Sequence, residues 1–200
     1  MGAELSRRSP DARAEALQAH LCERDADLCL PEDAGELHKQ LRSYLVAASD
    51  ERLLATKVAD VFRWLKLSPS PLGQEPEYMG IYGGEKDQKR IGDGPRFVRK
   101  DGAWCTFTIT VRARRRQPLE LVAYDFELCF PERTDWERRL PRFVRFDLNP
   151  PAHGNESKGL RCHMHPGHDD LIAPAPLMSP MDVLDLFVYG LVLPEHPRKA

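Results

Sequence analysis

The spacing of apolar residues changes once along this chain, from every third or fourth position to every second, and that change limits the fold more than any other feature. Before it, Leu37, Leu41, Tyr44 and Leu45 recur on one side of a helix. A further run from Ser49-Asp50 to Leu67 places Leu54, Val58, Val61, Phe62 and Leu65 at i, i+4, i+7, i+8 and i+11. After it, Cys105, Phe107, Ile109 and Val111 alternate with threonines, and Val122, Tyr124, Phe126, Leu128 and Phe130 alternate with Ala123, Asp125 and Glu127. Helices first and paired strands second make an α+β protein.

Punctuation divides the chain into three parts. Residues 1–67 read as a helical N-terminal segment that opens with Ser9-Pro10 as N-cap and N1, carries Leu17 and Leu21, and is interrupted at Pro31. Residues 68–95 are rich in Pro, Gly and charge and read as a linker or mobile loop. Residues 96–200 form an antiparallel meander of about four strands, Trp104 to Arg112, Leu119 to Phe130, Arg142 to Leu148 and Leu160 to His165. Ser179-Pro180 then caps a C-terminal helix whose Val183, Leu184, Phe187, Val188 and Leu191 form a stripe suited to packing on the sheet.

Composition narrows the function classes. The 200 residues carry a formal net charge of −2, which gives no global attraction to nucleic acid or to an anionic membrane. Five widely spaced cysteines with no CxxC argue against both a disulfide framework and a four-thiolate zinc site. No apolar run spans a bilayer, and the N-terminus lacks the apolar core of a secretory signal, so a cytoplasmic protein with no membrane contact is expected. GxxxxGK[ST], GxSxG and HExxH are all missing from the sequence, which removes the common nucleotide-driven and hydrolase signatures.

The densest group of titratable side chains is His153, His163, His165 and His168, with Asp169 and Asp170 beside them. Alternation along a strand puts His163 and His165 on one side, roughly 7 Å apart at their Cα atoms, with Arg161 in line. The same parity puts Arg145 and Asp147 on the polar side of their strand, and Asp125 and Glu127 on that of theirs. In a meander of neighbouring strands these residues share one sheet face. A Cys162–His163 dyad is excluded, since consecutive strand residues point to opposite faces.

Two chemistries use such a face. In metal-independent cleavage of an RNA phosphodiester, His163 and His165 serve as base and acid, Arg145 and Arg161 clamp the phosphate, and Asp147 orients a histidine. Arg112, Arg114, Arg115 and Arg116, at the turn between the first two strands, supply substrate-binding charge. That route needs no cofactor. In the alternative, the HxH pair followed by an acid resembles the first cupin motif with Asp in place of Glu, and His163, His165, His168 and Asp169 bind zinc or iron. The Pro-rich loop and helix that follow depart from a cupin jelly roll.

Arg145-Phe146-Asp147, a loop with Pro151 and His153, His163-Met164-His165, Pro-rich residues and Ser179-Pro180 leading into a terminal amphipathic helix together resemble TumE-like proteins. These are small bacterial toxin components found beside an antitoxin. The resemblance covers the last third of the chain, and the loop between His153 and His163 is longer and richer in glycine than the pattern. It implies a bacterial toxin or antiviral defence component that acts on RNA and has a protein partner, an antitoxin or defence complex. A non-catalytic subunit of a larger nuclease or defence complex, docking through its N-terminal helices, is the alternative from a different class.

Overall fold

The computed structural model describes residues 28, 30–72, 77–86, 89–91, 94–132, 141–151, 153 and 160–191. The helix expected from Ser9-Pro10 to Leu21 lies outside them. Helix α1 (Ala34–Asp50) starts where the Asp33 side chain accepts a hydrogen bond from the Glu36 backbone N–H at 2.8 Å. Its Leu37, Leu41, Leu45 and Ala48 are buried, as the 3.6-residue period requires.

The helix expected over Ser49 to Leu67 does not form as one piece. Helix α1 ends at Asp50, and Arg52 takes a left-handed φ of 61°. Leu54 bridges Arg99. Only α2 (Val58–Trp64) is helical, and β1 (Leu65–Pro69) follows at once. Side chains compete with the helix here: Ser49 Oγ donates to the Thr56 carbonyl at 2.8 Å, and Thr56 Oγ1 accepts from the Val98 N–H at 2.7 Å. Leu54, Val61 and Leu65 are buried as the periodicity asks, but Phe62 is 57% exposed.

Among the described residues the sheet has eight strands, not about four. Strands β4 (Trp104–Arg112), β5 (Glu120–Cys129), β6 (Phe143–Leu148) and β7 (Cys162–His165) correspond to the four alternating runs. Added to them are β1, β2 (Tyr78–Gly83), β3 (Phe97–Val98) and β8 (Ala173–Pro174). All pairs are antiparallel in the order β1-β2-β4-β5-β6-β7-β8, with β3 also on β4. Strand β2 therefore lies within the 68–95 stretch that reads as a linker. Its two glycines hide the alternation, and at Gly83 a Cβ would lie 2.2 Å from the Phe107 ring, so the ring can pack there only over glycine.

One sheet face carries Ile81, Phe107, Ile109, Phe126, Phe146 and Cys162, which share a single buried core with the inner residues of α1. Aromatic rings run through it: Phe107 stacks on Phe126 at 4.9 Å, and Phe187 meets Phe126 edge-on at 6.3 Å. Phe187 belongs to a π-helical turn (Leu186–Gly190) that continues α3 (Pro180–Asp185). Helix α3 opens with a capping box in which Ser179 and Asp182 satisfy each other's backbone N–H, with Pro180 at N1. Among the described residues no helix is long and apolar enough to cross a membrane. The opposite sheet face is polar and carries the candidate site.

Candidate metal centre

Pairing of β6 with β7 sets Asp147 opposite His163 and Arg145 opposite His165, and pairing of β5 with β6 sets Asp125 opposite Asp147 and Glu127 opposite Arg145. Two parallel rows result on the polar face. One runs Thr108, Asp125, Asp147, His163; the other runs Thr106, Glu127, Arg145, His165. Because the side-chain period is two, all eight residues point the same way.

Three donor atoms converge where the rows meet. His163 Nε2 lies 3.3 Å and His165 Nε2 3.2 Å from Asp147 Oδ2, and the two Nε2 atoms are 3.1 Å apart. All three residues are buried. His163 Nδ1 is 3.0 Å from the Leu160 carbonyl oxygen. A carbonyl only accepts, so this contact puts the hydrogen on Nδ1 and leaves Nε2 of the neutral ring with a lone pair. Asp147 Oδ1 and His165 Nδ1 are buried without a hydrogen-bond partner among the described residues.

Charges around the triad are tightly matched. Arg145 donates from Nε to Asp147 Oδ2 at 2.9 Å and from Nη1 to Asp169 at 2.7 Å, and lies 3.7 Å from Glu127. Burial opposes ionisation of Asp147, but the imidazole contacts at its Oδ2 and the Arg145 charge outweigh it and hold the carboxyl well below the usual range. Asp125 moves the other way: burial and then the neighbouring Asp147 charge push it up, against the pull of Lys86, which is hydrogen-bonded to it. Arg90 grips Glu127 at 2.9 Å and both oxygens of Asp169 at 2.8 and 3.0 Å, with its guanidinium 3.6 Å above the Phe143 ring.

A cavity of about 460 Å³ opens over the triad. Asp147, His163 and His165 lie in its lining with Arg145, Asp125 and His153, and Lys86, Leu72 and Ile172 complete other parts of the wall. No protein-family model, curated protein or solved structure significantly matches this chain. The site therefore has to be read from its own geometry.

That geometry distributes the expected residues unevenly. Arg145, Asp147, His163 and His165 come together. Arg161 does not join them: it donates to the carbonyls of Asn149 at 3.4 Å and Val122 at 3.3 Å, where it ties strand ends together. Asp169 is held by Arg90 and Arg145, and His168 is exposed with its Nδ1 accepting from the Asp170 N–H at 3.1 Å. The carboxylate that meets the HxH pair is thus Asp147, across the strand pair, and not Asp169, close in sequence. Arg112 and Arg114 pair with Glu77, Arg115 and Arg116 are exposed, and none of the four lines the cavity. Lys86 and Arg90 are the functional neighbours that sequence reading missed, and the charge within residues 84–96 was their only signal.

The base-and-acid assignment also meets a geometric objection. In-line displacement at phosphorus needs a base beside the entering oxygen and an acid beside the leaving oxygen, on opposite sides. The two Nε2 atoms instead face one another and share one carboxylate oxygen.

Proposed function

We propose that this protein is a metal-dependent hydrolytic enzyme whose Asp147, His163 and His165 hold one divalent transition-metal ion, zinc or iron. The convergence of three donor atoms at 3.1, 3.2 and 3.3 Å carries the reading. Three donors so spaced lie on a circle of radius ~1.9 Å, and an ion ~2.1 Å from each would sit ~1 Å out of their plane, as on one face of a tetrahedron or octahedron.

A proton is the competing occupant. Placed on His165 Nε2, it can serve Asp147 Oδ2 and His163 Nε2, but the remaining edge still sets a carboxylate lone pair against an imidazole lone pair at 3.3 Å. A cation at the centre of the triangle satisfies all three edges together. The Leu160 carbonyl plays the orienting role that metal-binding histidines require of their second nitrogen.

Three protein ligands leave coordination positions for water, whose pKa a bound zinc lowers to about 7. Asp125 lines the same cavity, one strand from Asp147, and would be the residue to take up a proton if a metal held there supplied an activated water. Metal content of the purified full-length chain, measured by plasma mass spectrometry after dialysis, tests the proposal. One ion per chain is expected, with loss in Asp147→Ala, His163→Ala and His165→Ala variants that keep the wild-type circular dichroism. A folded wild-type chain that takes up no zinc, iron or manganese would overturn it.

The place in a bacterial toxin or defence locus is part of the same proposal and rests on the resemblance to TumE-like proteins. Induced expression should arrest bacterial growth, and His163→Ala should relieve the arrest. Growth unaffected by the wild-type chain would remove the toxin role without touching the metal site.

A further inference from the structure

The wall of the cavity shows what kind of molecule would sit over the triad. Two cations, Lys86 and Arg145, and two carboxylates, Asp125 and Asp147, line it, so its charges cancel until a divalent ion is added. With the ion in place the cavity carries a positive surplus, which favours an anionic ligand.

Only one of the two cations is placed to meet such a ligand. Arg145 is bound to Asp147, Asp169 and Glu127, and its side chain is 14% exposed. Among the described residues Lys86 pairs with Asp125, and its side chain is 46% exposed. Lysine is a compact point charge on a flexible stem, able to exchange a carboxylate for another anion without breaking a fork of hydrogen bonds. Two exposed apolar side chains, Leu72 at 52% and Ile172 at 37%, also line the cavity. The lining therefore offers a ligand both charge and apolar surface.

Size and surroundings favour a small molecule over a polymer. About 460 Å³ falls within the ~300–1,000 Å³ of small-ligand sites. A polynucleotide would need a basic track leading away from the cavity. Among the described residues the arginine-rich turn of Arg112, Arg114, Arg115 and Arg116 lies outside the lining, and two of its arginines are paired with Glu77.

We propose that this cavity binds a phosphate ester of mononucleotide size, its phosphate shared between the metal and the Lys86 ammonium and its apolar part against Leu72 and Ile172. The proposal rests on the metal reading above. Zinc-loaded full-length protein, its metal content determined first, is titrated calorimetrically with adenosine monophosphate, adenosine, inorganic phosphate and oligouridylate. Adenosine monophosphate should bind at least tenfold more tightly than adenosine, and inorganic phosphate should compete with it. Lys86→Ala should weaken adenosine monophosphate at least tenfold while metal content and melting temperature stay unchanged, and Lys86→Arg should restore most of the loss.

Equal affinity for adenosine and its monophosphate, indifference to Lys86→Ala, or tighter binding of oligouridylate than of the mononucleotide would overturn the substrate class and leave the metal centre standing. Failure to take up zinc, iron or manganese at the outset would overturn both, and the metal determination tells the two failures apart.

Discussion

Replacing Asp147 by Asn keeps the shape of the side chain and removes its charge, which isolates what the carboxylate does for the metal-free fold. Asp147 is 8% exposed and accepts from Arg145 at 2.9 Å, with both imidazoles within 3.3 Å. Breaking a buried ion pair costs about 3–5 kcal/mol when the partner charge is stranded. Arg145 is not stranded here, because Asp169 at 2.7 Å and Glu127 at 3.7 Å remain. The loss is then that of a charge-assisted hydrogen bond, about 1.5–3 kcal/mol. For a chain of this length that lowers the melting temperature by roughly 3–12 °C.

Urea unfolding in the presence of a chelator measures it: the midpoint should fall with an unchanged m-value. The sign of the pH dependence is fixed by the direction of the shift. Asp147 ionises more readily folded than unfolded, so its contribution is complete above the unfolded carboxyl value of about 3.9 and is lost as pH falls through the folded value. Asn does not titrate, so the gap between wild type and variant should be constant near neutrality and close on strong acidification. Added zinc should then raise the wild-type midpoint and leave the variant unmoved. A variant as stable as the wild type at pH 7 in chelator would refute the pairing argument.

Asp169 gives a second pH test. Hydrogen bonds from Arg90, reinforced by Arg145, hold its carboxyl down to about 2, so its contribution should be lost between pH ~4 and ~2, and Asp169→Ala should flatten the urea midpoint across that window. Its side chain is 53% exposed, so the effect should be small and should shrink in 0.5 M salt, on the order of a surface pair. In the core, Phe187 is fully buried between Phe126 and Phe146, and Phe187→Ala should cost about 3–5 kcal/mol in denaturant unfolding. A loss below about 1 kcal/mol would mean that the π-helical turn does not seat the ring in the core.

Alternation alone was enough to find β4, β5, β6 and β7, and parity alone put Asp147, His163 and His165 on one face. The misses have physical causes. Strands β3 and β8 are two residues long, below any periodic signal. Leu65 fits a helical stripe and a strand equally well, since burial of one leucine does not record the backbone that delivers it. The metal alternative takes Asp169 rather than Asp147 as the carboxylate for a related reason. Asp169 is near His165 in sequence, but which carboxylate meets the histidines is decided by the register of β6 on β7, and alternation fixes faces without fixing partners. Arg161 shows the limit of parity: it is in line with His163, yet it lies before the strand begins, where the Asn149 and Val122 carbonyls claim its guanidinium.

The two rows of the polar face balance their charges in different ways. In the row of Glu127, Arg145 and His165, the carboxylate of Glu127 is 2% exposed, and burying it requires a cation close by. Arg90 supplies one, and Asp169 balances the second guanidinium charge that Arg145 brings, so this row closes into a matched ionic network. In the row of Asp125, Asp147 and His163, two carboxylates stand side by side, and burial together with the Asp147 charge pushes the Asp125 carboxyl up. Lys86 offsets one of them from an exposed position, and Arg145 offsets the other from the networked row. His165 joins the triad from the networked row, and residues of both rows line the cavity, so the fixed network positions one ligand beside the pair that Lys86 balances. Such a division suits a binding centre: the rigid half sets the donor triangle, and the half with the exchangeable lysine meets the ligand.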